Sequence, residues 1–492
     1  MLAISPKNGL RFGEAFGTEQ MRLSGMWRIR RWPITISCTA ILAFFAALAG
    51  SYVIAQETTY SPPKATLLGS APQPIYSSDP NDSWNRIFYY LFSRRIEARL
   101  SSLFPEGAPF VDGVSTRLFE RDEIGDRAID PLYPSHFATT GSLLVLIQPA
   151  YSEFTKALQE AIDEKAPRSP IARALMESDL WAAHDILFFP LLPADEKDLG
   201  ACRLVALNLI SRLLEKIALR PGEIKSLPDN YSAAVREYSF PDVFAKNSGW
   251  VEVLWFHPRA HDGVAGFRRT ARVFLKPAQP QRDLQKFLDG MPDRQESDPI
   301  SGLDGVALVT QLLLIDSQGK IEPTSLTSEI QVRLFEKVNK DNVKPNDGTI
   351  RMSDGTFERA RLQVSEISRK LFLRSPESGG LVPEDEGSRT YNDRYSFAEG
   401  DPVGQGGPNL SLLLASPVQV TLRARCAICH GDALTQLNTF AIARPPHPPP
   451  VRQLNQNKRE TAKFVIAEKM KRKDFAGLRA YFDSAASAAT RH

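Results

Sequence analysis

The sequence predicts an α+β fold in which an N-terminal helical unit precedes a small central antiparallel sheet and a mostly helical C-terminal segment. Apolar side chains recur at helical spacing between residues 82 and 219. From residue 249 onward, aromatic and β-branched side chains form short runs of the kind found in strands. Helical spacing returns near the C-terminus at Ala462, Ile466 and Met470. These observations predict helices first, a sheet second and helices again at the end.

The helical unit begins at Asp82-Ser83, a typical helix start that is followed by apolar residues on one face. Further helical patterns cover 137–166, 170–184 and 196–219. Cys202 lies on the apolar face of the last of these patterns. We therefore interpret it as a small buried hydrophobic residue.

The sheet is predicted between residues 249 and 372. Its first strands are the aromatic and β-branched runs at 250–256 and 271–275. The run at 308–315 leads into the turn signal Asp316-Ser317-Gln318-Gly319, which predicts a tight connection. The residues from 329 to 335 alternate between polar and apolar, which predicts a half-buried strand.

Composition and charge are those of a soluble globular protein. Hydrophobic residues make up 42% and charged residues 24% of the 492 positions. The net charge is +3 and the signs are intermixed, so no basic patch indicates a nucleic-acid partner. Only four cysteines are present, which excludes a disulfide-rich scaffold.

The length predicts two or three folded units. We expect a signal peptide or membrane anchor, a linker, a helical domain, a β-rich domain, a second linker and a C-terminal segment. Their limits are 1–55, 56–81, 82–245, 246–373, 374–409 and 410–492. The two linkers are assigned from their richness in Pro, Ser, Gly and acidic residues.

The N-terminus has the pattern of an export signal. Arg28, Arg30 and Arg31 precede an apolar run at 34–55, which ends in small residues before Gln56. The run is also long enough to span a bilayer if it is not cleaved, since about 20 apolar residues suffice. In either case the arginines stay in the cytoplasm and the rest of the chain crosses. The protein is therefore expected in the periplasm or outside the cell, secreted or anchored by this segment.

The segment that carries chemistry is Cys426-Ala427-Ile428-Cys429-His430. In a C-x-x-C-H site, two thiols bond covalently to the vinyl groups of a haem and the histidine supplies an axial nitrogen to the iron. The sequence thus predicts one covalent haem c bound by Cys426, Cys429 and His430. A disulfide, a thiol redox pair and half a zinc site are the alternatives for the cysteine pair. A zinc site would need a second pair of ligands.

Two residues are candidates for the sixth ligand of the iron. Met470 continues a stripe with Ala462 and Ile466, so it is expected to face whatever its helix packs on, and a thioether ligand would suit electron transfer. The alternative is that Met470 is a core residue. His447 lies in a proline-rich strip that would hold its imidazole outward, and its alternative is a solvent-exposed linker histidine.

Other histidines carry less information. His184 lies beside Trp181 on a predicted helix, which favours a satisfied structural histidine. His257 and His261 flank a turn after a strand. Two histidines without a third ligand are weak evidence for a metal site.

Some stretches also resemble known proteins. The end of the chain, FAGLRAYF at 475–482, resembles the terminal helix of small c-type cytochromes. Five strings together resemble a family of large uncharacterised exported bacterial proteins that end in a CxxCH haem motif. The strings are DSWNRIFYYLFSRR (82–95), PIARALMESDLWAAHD (170–185), ALVTQLLLIDSQGKIEPTSLTSEIQVRLF (307–335), CAICH (426–430) and KMKRKDFAGLRAYF (469–482). This resemblance implies a shared architecture that ends in the haem motif, and it implies no substrate.

Three functions fit these observations. The first is electron transfer through the haem to or from an unknown redox partner, which predicts two axial ligands on the iron. The second is a peroxidase-like haem enzyme or a small-ligand sensor, which predicts an open sixth position. The third is an exported interaction protein without haem, in which Cys426 and Cys429 form a disulfide.

Overall fold

The structure, a computed structural model, describes most of the central part of the chain and its C-terminal end. The described residues all belong to one compact unit. They are residues 72, 74–96, 125–128, 145–146, 149–189, 193–254, 268–278, 303–343, 349–351, 357–383, 389–392, 418–421, 452–453 and 458–489.

Helices precede and follow an antiparallel sheet, so the predicted α+β class is confirmed. The helices are α1 (Ser83–Phe92), α2 (Ala150–Asp163), α3 (Pro170–Phe188), α4 (Pro193–Ile217), α5 (Pro221–Lys225), α6 (Asn230–Tyr238), α7 (Arg369–Arg374), α8 (Lys458–Met470) and α9 (Lys473–Ala489). The helical patterns predicted at 170–184 and 196–219 correspond to α3 and α4. The pattern predicted at 137–166 corresponds to α2, which begins later than expected because Leu146 and Pro149 lie in turns.

The strands form one main sheet and two small pairs. The strands are β1 (Ser93–Ile96), β2 (Gly125–Ala128), β3 (Val251–Leu254), β4 (Arg269–Pro277), β5 (Leu303–Ile315), β6 (Ile321–Val338), β7 (Thr349–Arg351), β8 (Phe357–Ile367), β9 (Leu381–Pro383), β10 (Arg389–Asn392), β11 (Val418–Thr421) and β12 (Arg452–Gln453). The main sheet has the order β12-β3-β4-β5-β6-β8-β7, and β9 also pairs with β8. Every pairing in it is antiparallel. β1 pairs with β2, and β10 pairs with β11.

The turn between β5 and β6 has the predicted tight geometry. Oδ1 of Asp316 accepts hydrogen bonds from the backbone N–H groups of Gln318 and Lys320, both at 2.9 Å. Gly319 has a φ of +73°, in the left-handed region that favours glycine. A Cβ atom at this position would lie 3.2 Å from the Cβ of Phe482 in α9. The turn is thus fixed by its own sequence and lies against the last helix.

Helix α3 lies between two hydrophobic cores. Met176, Leu180 and Trp181 contribute to the first core, which also holds buried residues of α1, α2, α4, α8 and α9. Ala174 and Leu175 contribute to the second core, which lies between α5, α6 and strands β4, β5, β6 and β8 of the sheet. The helices and the sheet therefore share α3. The domain limits predicted from the sequence remain predictions.

The sequence defines both ends of α3. Ser169 caps its N-terminus by accepting a hydrogen bond from the backbone N–H of Ala172 at 3.3 Å, and Pro170 occupies the first helical position. At the other end Phe189 is extended and precedes Pro190, and a residue before proline disfavours the helical conformation. Between these ends most side chains are buried on every side of the helix.

The prediction that residues 329–335 form a half-buried strand is wrong about their burial. The alternation at 329–335 predicts a half-buried strand, but Glu329, Gln331 and Arg333 in β6 are all buried. The reason is that alternation reports polarity, while exposure depends on what covers the polar face. Here Gln331 donates to Oε1 of Glu329 at 2.6 Å, so the polar side chains bond to each other instead of to water.

Two further predictions concern stretches that the structure describes in part. The linker predicted at 374–409 contains a short 3₁₀ helix (Pro376–Ser378) and the strands β9 and β10. The export segment predicted at 1–55 lies outside the described residues. Within the described part, no helix is both long and apolar enough to cross a membrane.

Candidate functional site

The predicted haem residues lie outside the described part of the chain. These are Cys426, Cys429, His430 and the candidate ligand His447. Described residues lie on both sides of this segment, at 418–421 before the motif and at 452–453 after it. Before the motif, β11 pairs with β10 and ends at Thr421. After it, β12 pairs with β3 at the edge of the main sheet, and α8 and α9 follow.

Met470, the other candidate ligand, is the last residue of α8. Its side chain is 52% exposed, so the prediction that it faces the surface on which its helix packs is wrong. The buried stripe of α8 consists of Ala462, Val465 and Lys469 instead. Residues seven apart are separated by almost two full turns at 3.6 residues per turn, so Lys469 lies above Ala462 and Met470 is rotated away. Whether Met470 binds iron stays a prediction.

Lys469 is the centre of a buried charge cluster. It is 0% exposed, and its Nζ atom donates a hydrogen bond of 2.6 Å to Oδ2 of Asp185 in α3. Nζ also lies 3.3 Å from Oδ2 of Asp474, near the start of α9. Arg268, just before β4, donates from Nη1 to the same Asp185 oxygen at 2.7 Å. We name Asp185, Arg268, Lys469 and Asp474 the Lys469 cluster.

The cluster keeps the carboxyl group of Asp185 ionised. Burial alone would raise the pKa of Asp185, but Lys469, His184 and Arg268 hold the pKa of that carboxyl well below its usual range. Asp474 is also buried, and Arg472 donates from Nε to its two oxygens at 3.2 and 2.9 Å. Buried charges are stable only when they are paired and hydrogen-bonded. Both conditions are met in this cluster.

An aromatic ring lies beside the lysine. Nζ of Lys469 lies 5.3 Å from the centroid of the Trp181 ring, within the range of a cation–π interaction. The Trp181 ring in turn contacts Phe475 of α9, with ring centroids 6.1 Å apart. The ammonium group is therefore held between two carboxylates and an indole ring, away from water.

His184 lies at the edge of this cluster. It is buried and stacks on Phe188, with ring centroids 6.0 Å apart. Its Nδ1 atom is 3.7 Å from Oδ1 of Asp185, which is longer than a hydrogen bond. Neither atom has a hydrogen-bond partner within the described structure. His184 is thus buried as expected, but its Nδ1 is not satisfied.

Helices α9 and α3 pack closely against each other at Gly477 and Phe188. Gly477 of α9 lies so near Phe188 of α3 that a Cβ atom there would clash with the Phe188 ring. Phe475, Leu478 and Phe482 are the buried apolar side chains of α9 and join the first core. The absence of a side chain at Gly477 therefore allows α9 to approach α3.

A second buried ion pair, between Arg272 and Glu252, contacts the start of α8. Arg272 of β4 donates two hydrogen bonds to Glu252 of β3, at 2.8 and 2.7 Å, and a third to Oε1 of Gln311 at 3.3 Å. The Thr461 hydroxyl of α8 donates to Oε1 of Glu252 at 2.9 Å. Bidentate pairing between an arginine and a carboxylate is among the strongest in proteins. The hydrogen bond from Thr461 to Glu252 links the start of α8 to the sheet.

Two other acids of α3 bind further segments. Asp179 pairs with Arg369 of α7 and accepts a hydrogen bond of 3.2 Å from the hydroxyl of Tyr76. One oxygen of Glu177 accepts from the backbone N–H of Ile315 at the end of β5, and its other oxygen has no partner in the described structure. Burial raises the pKa of the Glu177 carboxyl well above its usual range, more than that hydrogen bond and Arg173 lower it.

Sequence reasoning missed the residues that form this network. The sequence patterns single out Met470 and His184, but not the adjacent Lys469 and Asp185. The signal that could have identified the acids is their position: Glu177, Asp179 and Asp185 interrupt a helix that has no clear polar face. Charged residues in a helix that is apolar on every side are expected to have partners inside the protein.

The described residues offer no other site with clear chemistry. They contain no group of three or more His, Cys, Asp or Glu side chains that could hold a metal ion. Cys202 is a free thiol and only partly buried, and His257 and His261 lie outside the described residues. Comparison with protein-family models, with curated proteins and with solved structures finds no match. Any functional assignment therefore rests on the residues of this chain.

Proposed function

We propose that this chain is an exported c-type cytochrome-like protein that transfers electrons through one covalently bound haem. The observation that carries the proposal is the string Cys426-Ala427-Ile428-Cys429-His430. Two thiols separated by two residues match the spacing of two haem vinyl groups, and the adjacent imidazole provides an axial ligand. When bound, the haem would supply one-electron chemistry, and the protein would tune it through the axial ligands and burial.

The export pattern supports the same proposal. Three arginines followed by an apolar run predict that everything after residue 56 crosses the membrane. Covalent attachment of haem to such motifs takes place on that side. An electron carrier there would exchange electrons with a redox partner, whose identity the sequence does not give.

The attachment of the chain to the main sheet after the motif is also compatible with an electron carrier. After the motif, β12 pairs with β3 at the edge of the main sheet. A functional group works best when it is supported by rigid elements. The haem-bearing segment is thus joined at its C-terminal side to a fixed part of the protein.

Covalent attachment can be tested directly. The mature protein would be produced together with haem-attachment factors, separated on a denaturing gel and stained for haem peroxidase activity. We expect a stained band that is lost in Cys426→Ala and in Cys429→Ala. Cys202→Ala is the matched control, because it removes a free cysteine outside the motif, and its band should stay stained. An unstained wild-type band would overturn the proposal.

The spectrum of the stained protein would separate electron transfer from the enzyme or sensor alternative. An iron with two protein ligands should give a reduced-state spectrum that carbon monoxide leaves unchanged. A rapid change on addition of carbon monoxide would instead indicate an open sixth position. That result would favour a peroxidase-like enzyme or a sensor over an electron carrier.

A further inference from the structure

The C-terminal helix pair, defined as α8, α9 and the turn between them (458–489), is joined to the rest of the protein through buried charges. We propose that this pair is a docked element that can leave the rest of the protein without unfolding it. We further propose that Lys469 is the residue that fixes the docked position. This inference concerns the polypeptide alone and holds whether or not haem is attached.

The distribution of the two cores supports a separable element. The second core, between the sheet and helices α5 and α6, contains no residue of the C-terminal helix pair. In the first core, α1, α2, α3 and α4 contact one another independently of the pair. The fully buried apolar residues that the pair adds to this core are Ala462, Val465, Phe475, Leu478 and Phe482. Undocking would therefore leave one core complete and most of the other in place.

The pairing of charges indicates why Lys469 holds the two sides together. On the body side, Asp185 has its own cation in Arg268. On the helix-pair side, Asp474 has its own cation in Arg472. Lys469 bonds to carboxylates from both sides, Asp185 of the body and Asp474 of the helix pair. Each side is thus charge-paired by itself, and Lys469 joins them.

The local sequence makes this role specific to one lysine. Lys469, Lys471 and Lys473 occur within five residues, and only Lys469 is buried. Lys471, in the turn after α8, is exposed and pairs with Glu468 of α8, a contact worth little to stability. Lys471 therefore offers a control substitution of identical chemistry, two residues from Lys469 and outside the cluster.

A second buried polar contact of the pair, between Thr461 and Glu252, is not equivalent. Thr461 donates to Glu252, but Glu252 is already held by two hydrogen bonds from Arg272. Loss of the hydroxyl would leave no buried charge without a partner. Loss of the Lys469 ammonium would leave two buried carboxylates facing each other, with no cation between them. The docked position therefore depends more on Lys469 than on Thr461.

Hydrogen–deuterium exchange on the full mature protein can test the inference, with Lys469→Met and the control Lys471→Met. Methionine keeps most of the volume of lysine and removes the charge. In Lys469→Met we expect exchange of the α8 and α9 amides to accelerate at least about tenfold, since exchange reports local opening. Amides of α3, β4 and β5 should stay within about twofold of the wild type. Lys471→Met should match the wild type throughout.

Two outcomes would overturn the inference. If exchange accelerates equally in α3, the sheet and the helix pair, or if Lys469→Met does not fold, the pair is not a separable element. If exchange in α8 and α9 is unchanged, Lys469 does not fix their position.

A second variant tests the charge argument: Asp185→Asn leaves Arg268 and Lys469 as neighbouring buried cations. Adding Lys469→Met to it should slow exchange of the pair again, and a further acceleration would contradict the proposed pairing.

Discussion

The Nζ atom of Lys469 lies 2.6 Å from Oδ2 of Asp185, although the two residues are 284 positions apart in the chain. Neither side chain has appreciable contact with water. A buried ion pair contributes little compared with a well-packed apolar pair, but removing one partner is costly because the other charge is left without compensation. This asymmetry makes the cluster a sensitive point of the fold.

Asp185→Asn should destabilise the protein strongly. It leaves Arg268 and Lys469 close together as buried cations that share no carboxylate. We expect a loss of about 3–5 kcal/mol in the free energy of unfolding, measured by urea titration. The control is Asp483→Asn, at a side chain that is 68% exposed, where the change should stay within about 0.5 kcal/mol. Equal effects of the two substitutions would contradict the role assigned to Asp185.

Glu177→Gln should change how stability depends on pH. Burial raises the pKa of this carboxyl in the folded state. Above about pH 4.3 the unfolded chain releases the Glu177 proton, while the folded chain retains it up to its own raised pKa. The Glu177 contribution to stability is therefore complete at low pH and is lost as the pH rises through this window. Glutamine cannot titrate, so the variant should gain stability relative to the wild type as the pH rises.

Urea unfolding at several pH values from about 4 to about 8 would measure this difference. Glu153→Gln, the same substitution at an exposed position of α2, is the matched control for the change from a carboxyl to an amide group. A difference between Glu177→Gln and the wild type that is constant with pH would show that Glu177 binds no extra proton in the folded state.

Gly477→Ala should weaken the contact between α9 and α3. The added methyl group would clash with the ring of Phe188, so the ring or one of the two helices must shift. Overpacking of this kind typically costs about 1–3 kcal/mol, which thermal unfolding would detect as a lower Tm. Gly222→Ala is the control, because nothing lies within 4 Å of a Cβ atom at that helical position. Its Tm should be unchanged or slightly higher, and a Tm of Gly477→Ala equal to this control would contradict the packing described.

Met470→Ala should affect stability little. The side chain is 52% exposed at the end of α8, so truncation removes few buried contacts. We expect a change within about 0.5 kcal/mol in the free energy of unfolding. A loss of several kcal/mol would place Met470 in the core. In haem-loaded protein, an unchanged reduced spectrum in this variant would exclude Met470 as the sixth ligand.

Local signals in the sequence were sufficient to predict much of the fold. Each of these signals involves only a few consecutive residues. Examples are the cap and proline at the start of α3 and the Asp316–Gly319 turn between β5 and β6. Helices and strands that such signals define were found close to the predicted positions. The α+β class follows from them, since it depends on the order of elements and not on their packing.

Packing between distant segments could not be predicted in the same way. Met470 and Lys469 are adjacent, and only the way in which α8 packs on the rest of the protein decides that Lys469 is buried. The polar side of β6 is buried because other parts of the protein cover Glu329 and Arg333, which alternation cannot reveal. The Lys469 cluster likewise depends on α3, β4 and the C-terminal helix pair meeting at one point. The haem motif is the opposite case, since five consecutive residues contain its whole signal.

The most direct test of the central claim is the intact mass of the mature protein, made with haem-attachment factors and measured under denaturing conditions. The account predicts a mass equal to that of the polypeptide plus one haem, and the polypeptide mass alone in Cys426→Ala combined with Cys429→Ala. A wild-type mass equal to the bare polypeptide would contradict it. So would a mass lower by two hydrogens, the signature of a disulfide between Cys426 and Cys429.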